Sequence, residues 1–304
     1  MKRLVCLIIA MSFNSICEGN IFTDATGDHY WGNPDNWSDF HIPNSCTLNG
    51  RANAVSFLSN TMMNIGSGED RHCYGFHLGV YGSGNDVVVN IDGGSLCVGP
   101  WGVEVGFGDS GYSDYDTTVN MTGGVIKTSS LMVPRHFDNS GTVSDGVGVI
   151  NASSGVINAN FLNIGMGDGV GTVNLSGDAV VNLDTSLQMN TFLAGWDELS
   201  LAHTASLVID DSAHITIGGY GDYTPGPGDP TIEEIIQMEL DIYQAYIDFG
   251  WITSNTGPLA MNYNEATDTI VIVPEPATML LLGLGVMLVR RKKLVAGVQT
   301  DYRI

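Results

Sequence analysis

Side chains that could act chemically on a polysaccharide are few and scattered in this chain. Lys127 and Arg135, followed by His136, are the residue types that serve as base or clamp for an acidic sugar. Asp210 and Asp211 are adjacent, whereas glycoside hydrolysis uses two carboxylates roughly 5–10 Å apart. Neither set recurs with a matched partner, so the sequence predicts no catalytic residue. An enzyme, either a polysaccharide lyase or a glycoside hydrolase, is the alternative to a non-catalytic protein.

The central part of the chain, residues 20–273, is strongly acidic. It holds 4 Lys or Arg and 30 Asp or Glu, a net charge of −26. Such a surface argues against nucleic acid or anionic lipid as partners and suits divalent cations. Asp109, Asp114 and Asp116 offer the oxygen ligands that Ca²⁺ prefers, without the Gly and Glu positions of an EF-hand. Calcium is the one cofactor the sequence suggests; acids that merely keep an exported protein soluble are the competing explanation.

Three cysteines lie in this central part: Cys46, Cys73 and Cys97. In an oxidising compartment they permit one disulfide, and the spacing does not identify the pair. Cys97 lies in a strand pattern, which predicts a buried apolar side chain.

A repeat of three short strands positions these residues. Its first strand alternates apolar and polar residues and is followed by a Gly, Ser or Asp turn. Asparagine recurs in this strand at Asn90, Asn120, Asn151 and Asn174, and Val208 replaces it in the last copy. The intervals are 30, 31, 23 and 34 residues. The first-strand copies are 88–94, 118–124, 149–155, 172–178 and 207–212.

Three strands per repeat with no helix between them predict an all-β, right-handed parallel β-helix. Its successive copies would stack in register, and the asparagines would form a hydrogen-bonded ladder. A β-sandwich is the alternative, because its strands also recur at about 8–12 residues. Asn120, Asn151 and Asn174 match glycosylation sequons, but the repeat itself generates these matches.

Both ends of the repeat region carry closing elements. Trp31 and Trp37 are expected to close the first coil, and a capping helix is expected at the other end. Thr231 and Glu234 form the capping-box signature of that helix, whose apolar face runs to Ile247. A last strand follows at residues 269–273.

The N-terminus has the three parts of a secretion signal for the Sec translocon. Lys2 and Arg3 precede an apolar stretch, 4–13, which is too short for a permanent membrane helix. Cleavage is expected between Cys17 and Asn20.

The C-terminus carries a second targeting pattern. Pro274, Glu275 and Pro276 precede an uncharged stretch, 277–289, and then a basic cluster. The stretch is about 20 Å long as a helix against a hydrocarbon core of about 30 Å, which favours a short, transient anchor with its basic end in the cytoplasm. The cluster comprises Arg290, Arg291, Lys292 and Lys293.

This C-terminal order resembles the PEP-CTERM sorting signal of Gram-negative bacteria. The resemblance implies cleavage near Pro-Glu-Pro by an exosortase, after transient anchoring in the inner membrane, and release to the cell surface. The tail 294–304 departs from the family, which usually ends soon after the basic residues.

The repeats, over residues 86–218, also resemble those of autotransporter passengers. The expected organisation is a signal peptide (1–19), an N-terminal cap and first coil (20–80), β-helix repeats (81–222), a capping helix and last strand (223–273), a sorting signal (274–293) and a cytoplasmic tail (294–304). The sequence therefore predicts an exported, non-catalytic surface or matrix protein associated with exopolysaccharide.

Overall fold

The computed structural model describes residues 20–38, 43, 54–58, 61–81, 86–106, 116–135, 146–166, 169–190, 205–220, 225–226 and 228–275. These residues are mostly β-strand in one extended sheet, with one α-helix and one 3₁₀ turn, which confirms the all-β prediction. The helix is α1 (Ile232–Asp248). The strands are β1 (Asn20–Phe22), β2 (Ala54–Leu58), β3 (Met62–Ile65), β4 (Asp70–Tyr81), β5 (Val87–Ile91), β6 (Ser95–Val105), β7 (Asp116–Arg135), β8 (Val147–Met166), β9 (Val170–Leu175), β10 (Val180–Met189), β11 (Ala205–Ile209), β12 (His214–Ile217), β13 (Ile252–Thr253), β14 (Leu259–Asn264) and β15 (Thr269–Pro274).

The first strand of each repeat pairs in parallel with the first strand of the next. The order is β3, β5, the start of β7, the start of β8, β9 and β11. The register aligns Asn90 with Asn120 and places Val208 beside Asn174, as the sequence predicted. Alternation decides which side is buried: Val119 and Met121 are in the core, and Asn120 between them is only half-buried.

The second and third strands of the repeat also pair in parallel with their counterparts in the next repeat. The second strands lie in β4, β6, β7, β8, β10 and β12, and they pair in parallel in that order. Glycine makes the tight turn between first and second strands possible. Gly124 has φ +83, and a Cβ there would lie 2.0 Å from the carbonyl oxygen of Gly94.

The largest differences in repeat length lie between the third strand of one repeat and the first strand of the next. β6 ends at Val105 and β7 begins at Asp116, and β10 ends at Met189 and β11 begins at Ala205. The turns between first and second strands are much shorter, as between Ile91 and Ser95. Smaller differences in length lie between the second and third strands, where the parallel pairing shifts register, as between Cys97 and Val103 of β6.

Aromatic side chains close the N-terminal end of the core. Trp31 and Trp37 are buried, and their ring centroids lie 5.1 Å apart at an interplanar angle of 69°. The indole Nε1 of Trp37 donates to the carbonyl oxygen of Trp31 at 2.9 Å. Trp31 also stacks on Phe76 of β4 at 6.0 Å. The expectation that these tryptophans lie at the end of the stack agrees with this packing.

Helix α1 lies at the other end of the core. The predicted capping box is present: Glu234 N–H donates to the Thr231 hydroxyl, and Thr231 N–H donates to the Glu234 carboxylate. Tyr243 is buried, and its hydroxyl accepts from the N–H of Leu187 in β10 at 3.4 Å. The helix therefore packs on the third-strand segment of the last complete repeat. Tyr246, which the apolar pattern missed, is also buried.

The first strand after the helix, β13, still pairs in parallel with β11. The chain reverses direction between β14 and β15, and β15 pairs antiparallel with β12 and with β14. The sequence predicted β15 but not β14, whose residues are half-buried or exposed. The buried residues, from Phe22 to Ile272, nevertheless form one continuous cluster.

Candidate functional site

The C-terminal motif begins inside the folded sheet. Val273 pairs with Ala260, and Pro274, the last residue of β15, pairs with Leu259 and is buried. The N–H of Glu275 donates to the carbonyl oxygen of Pro258 at 2.7 Å. Proline is tolerated here because the pairing of β15 with β12 ends at Ile272, so Pro274 has a strand partner only on the β14 side. The sheet therefore extends up to the glutamate of Pro-Glu-Pro.

The rest of both targeting segments lies outside the described residues. This applies to the signal peptide 1–19, to Pro276, to the predicted anchor 277–289 and to Arg290, Arg291, Lys292 and Lys293. Among the residues that the structure describes, no helix combines the length and the apolar character needed to cross a membrane.

The candidate cation for a lyase lies between two uncharged residues in the sheet. Lys127 is exposed in β7, and its partners in register are Cys97 on one side and Asn158 on the other. Neither partner is a carboxylate. Arg135 is the last residue of β7, and His136 lies outside the described residues.

The adjacent carboxylates Asp210 and Asp211 belong to a turn. Asp210 accepts hydrogen bonds from the N–H and the side-chain amide of Asn255 and from the Ser254 hydroxyl. Partial burial opposes ionisation, but these donors prevail and lower the pKa of Asp210. Asp211 has φ +58 and accepts from the N–H of Gly177 at 3.2 Å. Both carboxylates connect neighbouring turns of the stack.

The predicted calcium ligands are only partly visible. Asp116 is exposed at the start of β7, and Asp109 and Asp114 lie outside the described residues. Within the described ranges, no three His, Cys, Asp or Glu side chains are grouped so that they could hold a metal ion. Calcium binding by the three aspartates stays a prediction.

The cysteines differ from expectation at one position. Cys73 is buried, whereas Cys97, predicted to be buried, is half-exposed. The reason is alternation: Leu96 and Val98 on either side of Cys97 face the core. Cys73 and Cys97 are not joined to each other, and Cys46 lies outside the described residues.

A buried acid–base pair links two neighbouring repeats. Glu104 of β6 has no exposed surface, and its Oε2 lies 2.5 Å from Nδ1 of His77 in β4. A carboxylate that orients an imidazole is a common arrangement for a general base. However, only 12% of the His77 side chain is exposed, so little of the imidazole is open to a substrate. Sequence reasoning missed this pair, although both residues occupy the middle of aligned third strands.

The predicted asparagine ladder is continuous and has one more member than the four asparagines predicted from the sequence. Each Nδ2 donates to the Oδ1 of the asparagine in the preceding repeat, at distances of 2.9, 3.0, 3.0 and 2.8 Å. All five side chains point away from the core and are half-buried. The ladder consists of Asn64, Asn90, Asn120, Asn151 and Asn174.

The outward side chains around this ladder define what we term the ladder face, carried by β3, β5, 117–121 of β7, 148–152 of β8, β9 and β11. One column beside the asparagines bears methyl groups, with Val88, Thr118, Val149 and Thr172 in register. Asp92 and Asp210 stand at the margin beyond the asparagine column. Asp92 accepts from the Thr122 hydroxyl at 3.0 Å.

Comparison with known proteins identifies one segment. Residues 273–293 match the family model of the PEP-CTERM protein-sorting motif. No curated protein and no solved structure matches the chain. The motif covers a small part of the 304 residues and begins at the β15 residues that the hairpin holds. The match indicates an exported protein that an exosortase sorts to the cell envelope or surface.

Proposed function

We propose that the chain is a non-catalytic protein of the cell surface or extracellular matrix of a Gram-negative bacterium, associated with exopolysaccharide. The observation that carries the proposal is the sorting motif directly after an acidic, β-rich body. A net charge of −26 over residues 20–273 favours solubility outside the cell and disfavours nucleic acid.

The body is proposed to be a right-handed parallel β-helix. Parallel, in-register pairing between copies 23 to 34 residues apart supports this fold over a β-sandwich, which is built from antiparallel sheets. Helix α1 would then be the cap that covers the open C-terminal end.

The export route follows from the two targeting segments. The Sec translocon would deliver the chain, and residues 277–289 would hold it transiently in the inner membrane with 294–304 in the cytoplasm. Exosortase would then cut near Pro-Glu-Pro. Because Glu275 is bound to Pro258, the body can stay folded while the residues after Glu275 are processed.

The absence of catalysis is proposed from the candidate residues themselves. Lys127 lies beside Cys97 and Asn158 in register, and Asp210 is engaged with Asn255 and Ser254. These surroundings suit structural roles. Lyase or hydrolase activity is the alternative, and it predicts cleavage products.

Fractionation of cells tests the function directly. Wild type and Glu275→Gln are compared in a host with an exosortase, with Glu265→Gln, an exposed acid outside the motif, as the matched control. We expect wild type and the control in the surface and matrix fraction, and Glu275→Gln retained with the membrane. In a strain without exopolysaccharide, the wild type should move to the medium.

Two results would contradict the proposal. The first is matrix retention that persists without exopolysaccharide. The second is release of sugar oligomers from that polysaccharide by the purified protein, with loss of the activity in Lys127→Ala, which would favour the enzyme.

A further inference from the structure

The ladder leaves part of each asparagine unused. A carboxamide has two N–H donors and an oxygen with two lone pairs, and the ladder consumes one N–H and one lone pair of an inner member such as Asn120. Since all four hydrogen bonds run the same way, the remaining donors and acceptors form one column. Neighbouring strands lie about 4.8 Å apart, so the column repeats at nearly the length of one sugar residue in an extended chain.

A second column supplies apolar contact next to the first. Val88, Thr118, Val149 and Thr172 present methyl groups at the same spacing, two residues before the asparagines. A ligand that fits both columns carries amide and methyl groups along one side, which an extended chain that turns over at each sugar presents at every second unit. Hydroxyl groups alone would satisfy only the asparagines.

Charge narrows the choice of polymer further. The described outward residues in these two columns are uncharged, while carboxylates stand at the margin at Asp92 and Asp210. Together with the net charge of −26 over residues 20–273, they repel an anionic polymer and tolerate a neutral or partly cationic one.

We propose that the ladder face binds a linear polymer of N-acetylated amino sugars, which lies along the asparagine column. The acetamido oxygen and N–H pair with the carboxamides, and the acetyl methyl rests on the column of Val and Thr. This inference rests on the proposed association with polysaccharide and names the face and the sugar class.

Two substitutions in one strand give a matched test. Val149 and Val156 are both half-buried in β8; Val149 is on the ladder face, and Val156 is in the second strand, in register with Val125 and Val180. Val149→Arg puts a long cation over the methyl column, and Val156→Arg makes the same change on another face. Melting temperatures of both variants establish that they fold, and Thr172→Arg replaces Val149→Arg if that variant does not.

Co-sedimentation of the secreted protein with insoluble chitin measures binding, with cellulose as the polymer without acetamido groups. We expect Val149→Arg to weaken chitin binding at least tenfold, Val156→Arg to stay within twofold of wild type, and cellulose to bind at least tenfold more weakly than chitin. Equal chitin binding by the two variants, or equal binding of cellulose and chitin, would overturn the inference and leave the proposed function standing. Failure to bind chitin, cellulose or the host's own polysaccharide would overturn both.

Discussion

Truncating one inward side chain of a repeat should cost far more stability than truncating the asparagine beside it. Leu175 is 1% exposed, whereas Asn174 is half-buried and points outward. Leu175→Ala removes buried methyl groups and leaves a cavity, which costs about 2–5 kcal/mol. Asn174 is the last member of the ladder and makes one ladder hydrogen bond, of 2.8 Å, so Asn174→Ala should cost about 1 kcal/mol.

Urea melts of the two variants check this difference. With an m value of about 3 kcal/mol/M, the Leu175→Ala midpoint should fall by about 0.7–1.7 M and the Asn174→Ala midpoint by about 0.3 M. Lys127→Ala, an exposed substitution, is the control and should change stability by about 0.5 kcal/mol or less.

Two rankings of the variants by loss of stability would refute the reasoning. If Asn174→Ala cost more than Leu175→Ala, the ladder and not the apolar core would set the stability of the repeats. If Lys127→Ala were the most damaging change, or abolished a glycan-cleaving activity, the enzyme hypothesis would replace the structural one.

Further predictions concern the cap, export, processing and calcium. Burial raises the pKa of Glu239, against hydrogen bonds from Tyr243 and Tyr220, so the folded state favours the protonated carboxyl. The free energy of unfolding should therefore fall as pH rises above about 4.5 toward the raised pKa. In urea melts at several pH values, Glu239→Gln should lack this fall. An unchanged slope would contradict this. Fusing residues 1–20 to alkaline phosphatase should give periplasmic activity, and a cytoplasmic, inactive fusion would disprove the signal. Mass spectrometry of surface material should find no peptides beyond Ala277, and recovery of 294–303 would exclude processing. If Asp116 binds Ca²⁺, Asp116→Asn should abolish a rise in melting temperature on adding Ca²⁺; no rise in wild type would remove calcium from the account.

The repeat register was predictable because residue type and period agree there. Val173, Asn174 and Leu175 alternate, and an apolar–Asn–apolar triplet recurs in four of the five aligned copies, so both the pairing and the ladder follow from the sequence. Alternation alone does not decide the direction of the side chains, since either the asparagines or the apolar residues could face inward. The structure resolves it: burying Val173 and Leu175 removes apolar surface from water, whereas inward asparagines would cost desolvation.

Other features were not predicted from the sequence. They are residues whose chemical type and position in the alternation disagree, and contacts between residues of different repeats. Asn64 lies between the apolar residues Met63 and Ile65, so extending the alignment by one copy towards the N-terminus would have found it. Cys97 was assigned to the core by residue type, although its alternation with Leu96 predicts the opposite. The contact between His77 and Glu104 requires knowledge of the third-strand register over 27 residues, and aligning those strands would have shown it.

The position of β15 has a mechanical consequence. Any tether that continues from Glu275 pulls along a strand that is hydrogen-bonded on one side to β12 and on the other to β14. A pull along the strand axis loads the backbone hydrogen bonds to both neighbouring strands in shear. These hydrogen bonds then share the force and do not open one at a time. A terminal strand on a free edge would peel. The β14–β15 hairpin would therefore spread the force from such a tether over two neighbouring strands before it reaches the repeats.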